Sequence, residues 1–106
     1  MSINSRNKGK VGELELAEFF RQHGFEARRG QQFHGGGDSP DVVVPDLPGV
    51  HVECKRVEAG NPYNWLAQAR RDAGAKLPVV FHRRNREDWI VILPASAFLK
   101  LLKERV

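Results

Sequence analysis

Apolar positions in the N-terminal fifth of the chain recur at helical spacing. Placed at about 100° per residue, Val11, Leu14, Leu16, Ala17, Phe19 and Phe20 form one broad face. Gly24 suits the left-handed position after a helix end, so the pattern predicts a helix from about Ser5 to His23. The period then shortens. Phe25–Gly30 reads as a strand, and Gln31–Asp38, with three successive glycines from Gly35 to Gly37, reads as a loop over whatever lies beside it. Val42-Val43-Val44 is a β-branched run of the kind covered on both faces. A Pro/Gly-rich turn follows, and Val50–Lys55 completes a hairpin. Asn61-Pro62 is a helix start with Asn as N-cap; that helix runs to about Ala73, with Gly74 near its end and Trp65, Leu66, Ala69 and Ala73 as its core face. Pro78–His82 and Trp89–Leu93 are two further strands, joined by the basic turn Arg83–Arg86. Pro94 opens a last helix, Ala95 to about Glu104, with Phe98, Leu101 and Leu102 expected inward.

The element order is αβββαββα. The helix after the third strand lets the fourth run parallel to the third through a crossover. The expected fold class is α/β, a mixed five-stranded sheet flanked by helices, built as a single domain over residues 1–106 with 1–7 either a basic arm or the first helical turn.

Polar residues interrupt this pattern at a few positions. Glu15 and Glu18 fall on the far side of the first helix, as solvated charges should, but Glu13 sits at the centre of the apolar face. Gly9, one turn earlier on that face, leaves room for a close approach at a cost of about 1 kcal/mol of helix stability. Asp41 opens the second strand. In the third, alternation puts His51, Glu53 and Lys55 on one face and Val50, Val52 and Cys54 on the other. Two carboxylates and an amine therefore meet at one place, where a cation would offset the cost of burying like charges. Cys54, on the opposite face, reads as a small core residue. His23, His34, His51 and His82 lack zinc-ligand spacing; His51 is either a strand histidine or a further contact to the cation. Trp65 and Trp89 read as core anchors.

Composition bounds the class of function. The chain is 41% hydrophobic and 28% charged, a globular balance, and has no apolar run near the roughly 18 residues of a membrane span. Its first ten residues are polar and basic, unlike a signal peptide. One cysteine makes an internal disulfide impossible and a reducing cytoplasm the default. The net charge of +4 favours a polyanionic partner.

Pro40-Asp41, with Glu53-Cys54-Lys55 twelve residues on, resembles the PD-(D/E)xK signature of the restriction-endonuclease-like nuclease superfamily. Lys8-Gly9-Lys10-Val11-Gly12-Glu13 and the strand arginines Arg28-Arg29 are similar to the archaeal Holliday junction resolvases and their phage-encoded relatives. The resemblance covers residues 8–82 in detail and the rest in outline. It implies a restriction-endonuclease-like core and Mg²⁺-dependent hydrolysis of DNA phosphodiester bonds, with Mn²⁺ as a substitute. Asp41, Glu53 and the Cys54 backbone carbonyl would hold the metal, Lys55 would position water or stabilise charge, and Glu13 would hold a second metal or its water shell. Gln68 matches a glutamine of some branches, an ordinary surface residue being the alternative. Lys8, Lys10, Arg28 or Arg29, Ser39 and Arg56 are the expected DNA contacts, with Arg6 and the Arg83–Arg86 turn as further candidates. A two-fold symmetric junction implies a homodimer, and the resemblance suggests action in a bacterial cell with a phage or bacterial source. A nicking, flap or end-processing nuclease, or a catalytically silent DNA-binding module, are the alternatives.

Overall fold

The structure, a computed structural model, describes residues 5–30 and 40–105, with side chains from residue 9 onward. The expected glycine loop, Ser39 and the side chains of Arg6 and Lys8 lie outside these residues.

Helix α1 (Ser5–Gln22) is followed by β1 (Arg28–Arg29), β2 (Val42–Val43), β3 (Val50–Arg56), α2 (Pro62–Ala73), β4 (Leu77–Arg83), β5 (Ile90–Ile92) and α3 (Ala95–Arg105). The strands lie side by side in sequence order in one sheet. All neighbours are antiparallel except β3 and β4, which run parallel through the α2 crossover. This is the expected mixed five-stranded α/β architecture, consistent with a restriction-endonuclease-like core. Among the described residues no helix is long and apolar enough to cross a membrane.

The two faces of β3 explain the layering. Val52 packs with Val42 and Val44 against Leu16, Ala17 and Phe20 of α1, and Val50, Cys54 and Phe81 border that cluster. The opposite face of the sheet lies under α2, whose Ala69 and Ala73 are buried. Burying each large apolar side chain here contributes roughly 1.5–3 kcal/mol. Helix α1 ends as its sequence requires. Gly24 has φ 90°, and the amides of Gly24 and Phe25 donate to the carbonyls of Arg21 and Phe20, closing the helix while the Phe25 ring meets the Phe20 ring edge-on at 6.0 Å. Asn61 caps α2 by accepting from the amides of Tyr63 and Asn64.

Four expectations are corrected. The first strand is shorter than Phe25–Gly30: only Arg28 and Arg29 pair with β2, because the chain leaving α1 is still turning at Phe25. The apolar face of α1 is narrower than the sequence suggests, with Val11 60% and Leu14 47% exposed. Glu15 is not a solvated charge; it accepts from both Arg56 and Arg83 and ties α1 to the ends of β3 and β4. Helix α3 buries no residue, and Phe98, Leu101 and Leu102, expected inward, stay nearly half exposed beside Leu99, because α3 follows the edge strand β5 and no other described element packs broadly on it.

Candidate metal and phosphodiester site

Two close backbone approaches set up the site. A Cβ on Gly12 would lie 2.5 Å from Arg56 Cβ, so α1 crosses β3 in near contact one residue before Glu13. The sequence suggested Gly9 for this; the space beside Gly9 is open. Gly30 ends β1 against Asp41, donating its amide to the Asp41 carbonyl at 2.8 Å. Beyond this point β2 and β3 pair briefly, through Val42 and Val52, and the side chain of Asp41 takes over from the ladder: its Oδ2 accepts the Cys54 amide at 2.8 Å. In a strand the N–H and C=O of one residue point to the same neighbour. The Cys54 carbonyl is therefore turned toward the Asp41 edge.

Glu53 is 6% exposed and Glu13 9% exposed, both carboxylates inside a small protein. The Glu53 carboxyl is pushed up to about 9, first by burial, then by its hydrogen bond to Asp41 and the negative charges of Asp41 and Asp72, with Lys55 pulling the other way. Glu13 is raised by burial and by the charge of Asp41, while the guanidinium of Arg29 opposes the shift by donating Nε–H to its Oε1 at 2.7 Å. Asp41 thus acts on Glu53 and on Glu13, and the three acids form one electrostatic unit. Lys55 stands beside Glu53 and directs Nζ toward Gln68 Oε1 at 3.5 Å, so the helix after the lysine does supply a partner for it. Cys54 lies on the core face as expected, its thiol pushed up by burial.

The sequence left open which of the paired arginines turns toward these acids. It is Arg29; Arg28 is exposed. Lys10 is exposed as well. Arg56, expected to reach DNA, is held within the chain by Glu15, Glu58 and Asn85. Two residues carry more than their sequence positions suggested. His51 is 2% exposed and places Nε2 2.8 Å from Glu53 Oε1. Asp72, on α2, offers a carboxylate oxygen within 4.8 Å of ligand atoms of both His51 and Glu53. Its position in the helix, one residue before buried Ala73, was the only signal for it.

The donor set fits a hard divalent cation. Asp41, Glu53 and the Cys54 carbonyl are oxygen donors near one another, and burial without a cation forces a proton onto Glu53. A pH dependence follows. Between the ordinary carboxylate value and about 9, the folded metal-free chain holds a proton on Glu53 that the unfolded chain has lost, so stability falls as pH rises. Glu13, also raised, has the same sign. His51, lowered by burial, has the opposite sign, but only below its ordinary value near 6.5. In EDTA the melting temperature is therefore expected to fall from pH 7 to pH 9, and Mg²⁺ to raise it more at pH 9 than at pH 7; a flat profile in EDTA would contradict the proton-sharing acids.

A family model described as "Phage putative PDDEXK endonuclease" matches residues 4–105. No curated protein matches the chain. The matched span contains Asp41, Glu53 and Lys55 and nearly the whole sequence. The chain belongs to the phage PDDEXK endonuclease family.

Proposed function

We propose that this chain is a Mg²⁺-dependent endonuclease that hydrolyses DNA phosphodiester bonds, with Mn²⁺ able to replace Mg²⁺, and that its substrate is branched DNA of the Holliday junction type, met in the cytoplasm of a bacterial cell. The observation that carries the reading is the convergence of Asp41, Glu53 and Lys55, from two strands, on one partly buried spot with Glu13 behind it.

The roles follow from the geometry. Asp41 and Glu53, with the Cys54 carbonyl, would hold the cation, and Glu13, fixed by Arg29, would hold a second ion or its water shell. When bound, the metal supplies charge neutralisation at the phosphate and a bound water of lowered pKa. Lys55, directed by Gln68, is a compact charge that orients the attacking water and offsets the negative charge developing on the phosphate oxygens. Glu53 must lose its proton to serve, so proton release accompanies metal binding. Lys10 and Arg28 are exposed cations near the start of α1 and on β1, available to backbone phosphates; Lys8 and Ser39 are proposed as further contacts.

A four-way junction presents two equivalent strands, which two active sites in a homodimer would cut. An 11-residue helix is marginal by itself in water. The exposed Phe98, Leu99, Leu101 and Leu102 of α3, with Ile90 and Val91 on the sheet edge, support this as the surface where a second copy would pack. Leu99→Glu together with Leu102→Glu is expected to convert a dimer into a monomer in sedimentation equilibrium; wild-type protein that sediments as a monomer at all concentrations would remove the dimer.

The test of function is incubation with labelled four-way junctions, flaps, nicked and linear duplexes, with Mg²⁺ and with EDTA. Paired symmetric nicks confined to the junction support the resolvase. Cleavage of flaps or duplex instead assigns another nuclease of this family, and binding without metal-dependent cleavage of any substrate removes the enzyme.

A further inference from the structure

We propose that His51 is a positioning residue for Glu53, held in turn by Asp72 of α2; this rests on the reading of Glu53 as a metal ligand. His51 lies in mid-β3, 2% exposed, between Val50 and Val52 and opposite Pro78 of β4. A valine or leucine would fill that space with no polar group to satisfy. A buried imidazole instead brings two ring nitrogens that need partners. One is accounted for: Nε2 lies 2.8 Å from Glu53 Oε1, and in the Nε2–H tautomer it donates to the ionised carboxylate. The carboxylate of Asp72 lies in the same cluster, within 4.8 Å, although Asp72 stands on a different element. The chain thus gathers an imidazole and two acids, from β3 and α2, into one cluster.

The consequence lies in the other oxygen of Glu53. With Oε1 held by His51, rotation of the Glu53 carboxylate about its last bond is restricted, which leaves Oε2 to face the cation. A carboxylate that accepts a hydrogen bond on one oxygen is also a ligand already oriented before the cation arrives, and loss of such a supporting contact typically costs 10–100-fold in metal affinity or activity. Asp72 orients the imidazole, keeping its donor aimed at Glu53. It also makes the negative field at Glu53 stronger, which favours a cation there.

The experiment is calorimetric titration of Mg²⁺ into the metal-free full chain, for wild type, His51→Leu, His51→Gln and Asp72→Asn, with the half-saturating Mg²⁺ for cleavage read in parallel. His51→Leu is expected to weaken Mg²⁺ binding by about 10–100-fold and to raise the half-saturating concentration by the same factor. His51→Gln keeps an N–H donor and is expected to recover most of the affinity, and Asp72→Asn to lose a few-fold. Should His51→Leu fail to fold, the comparison of His51→Gln with Asp72→Asn reads the same contact. Wild-type affinity in His51→Leu or in Asp72→Asn overturns the proposal while leaving the metal site intact. His51→Gln falling as far as His51→Leu overturns it in favour of imidazole as a direct ligand. A wild-type chain that takes up no divalent cation overturns both this inference and the reading it rests on.

Discussion

Glu53→Gln is expected to reduce cleavage by on the order of a thousand-fold or more while raising the melting temperature of the metal-free protein at pH 8. The two effects have one cause. Burial and the neighbouring Asp41 keep a proton on Glu53 in the absence of metal, and an amide is the neutral isostere of that protonated acid. Its oxygen can accept from His51 and its NH₂ can donate to Asp41, so the pair is satisfied without a proton taken up at high pH. By the same token the variant offers the cation a neutral ligand in place of a charged one. The gain in melting temperature should shrink as pH falls and vanish below the ordinary carboxylate value of 4.5, where the unfolded chain is protonated too. Asp41→Asn should match it in cleavage but not in stability, since the asparagine oxygen can still accept the Cys54 amide. Binding of DNA should persist or tighten in both variants, because each removes negative charge from beside the phosphate. Equal loss of binding and cleavage, with a lowered melting temperature, would make the acids structural supports instead.

The architecture was legible where the chain states its own boundaries. Gly24 and the Asn61-Pro62 pair end and begin helices at the positions their geometry dictates, and the period-2 alternation of β3 separated the core face from the polar face correctly. The meeting of Asp41, Glu53 and Lys55 followed from that alternation, and the structure brings them together. What stayed hidden depends on contacts between elements far apart in sequence. Nothing near Glu15 announces Arg56 or Arg83, and nothing near His51 announces Asp72, since each pairing is created by helix packing across the sheet. Helix α3 misled for a related reason. Its apolar stripe has the spacing of a buried face, and spacing reports that a face is to be covered, not that the same chain covers it.

The acids also put the chain's basic character in context. Net positive charge would attract the phosphate backbone at long range, yet the proposed metal site gathers the acids Glu13, Asp41, Glu53 and Asp72 beside Arg29 and Lys55. Such a gathering of acids favours a phosphate only with a cation between them. Such an arrangement suits chemistry in which DNA and metal enter together, and it is poorly suited to a module that only binds.

Gly30→Ala is expected to be the most damaging change outside the acids. The Cβ it adds would lie 2.0 Å from the Pro40 carbonyl oxygen and 3.1 Å from its carbon, and neither is a side chain that can turn away. One strand must move from the other, and the bond from the Gly30 amide to the Asp41 carbonyl stretches as it does. Forcing a methyl into packed surroundings typically costs about 1–3 kcal/mol, and contact with backbone puts this case at the upper end. For a domain of this size that lowers the melting temperature on the order of 10–20 °C. Gly12→Ala meets Arg56 Cβ at 2.5 Å, an atom fixed to the β3 backbone, so it should destabilise as well, with α1 having to lift from the sheet. The catalytic readout separates the two. Displacing β1 from β2 moves the backbone that carries Asp41, whereas lifting α1 moves Glu13 and Glu15 away from their arginine partners on the strands and leaves that backbone in place. At a temperature where both variants are folded, Gly30→Ala should therefore lose cleavage far more than Gly12→Ala. A Gly30→Ala protein with wild-type melting and wild-type cleavage would mean that Asp41 is not held in place by the end of β1.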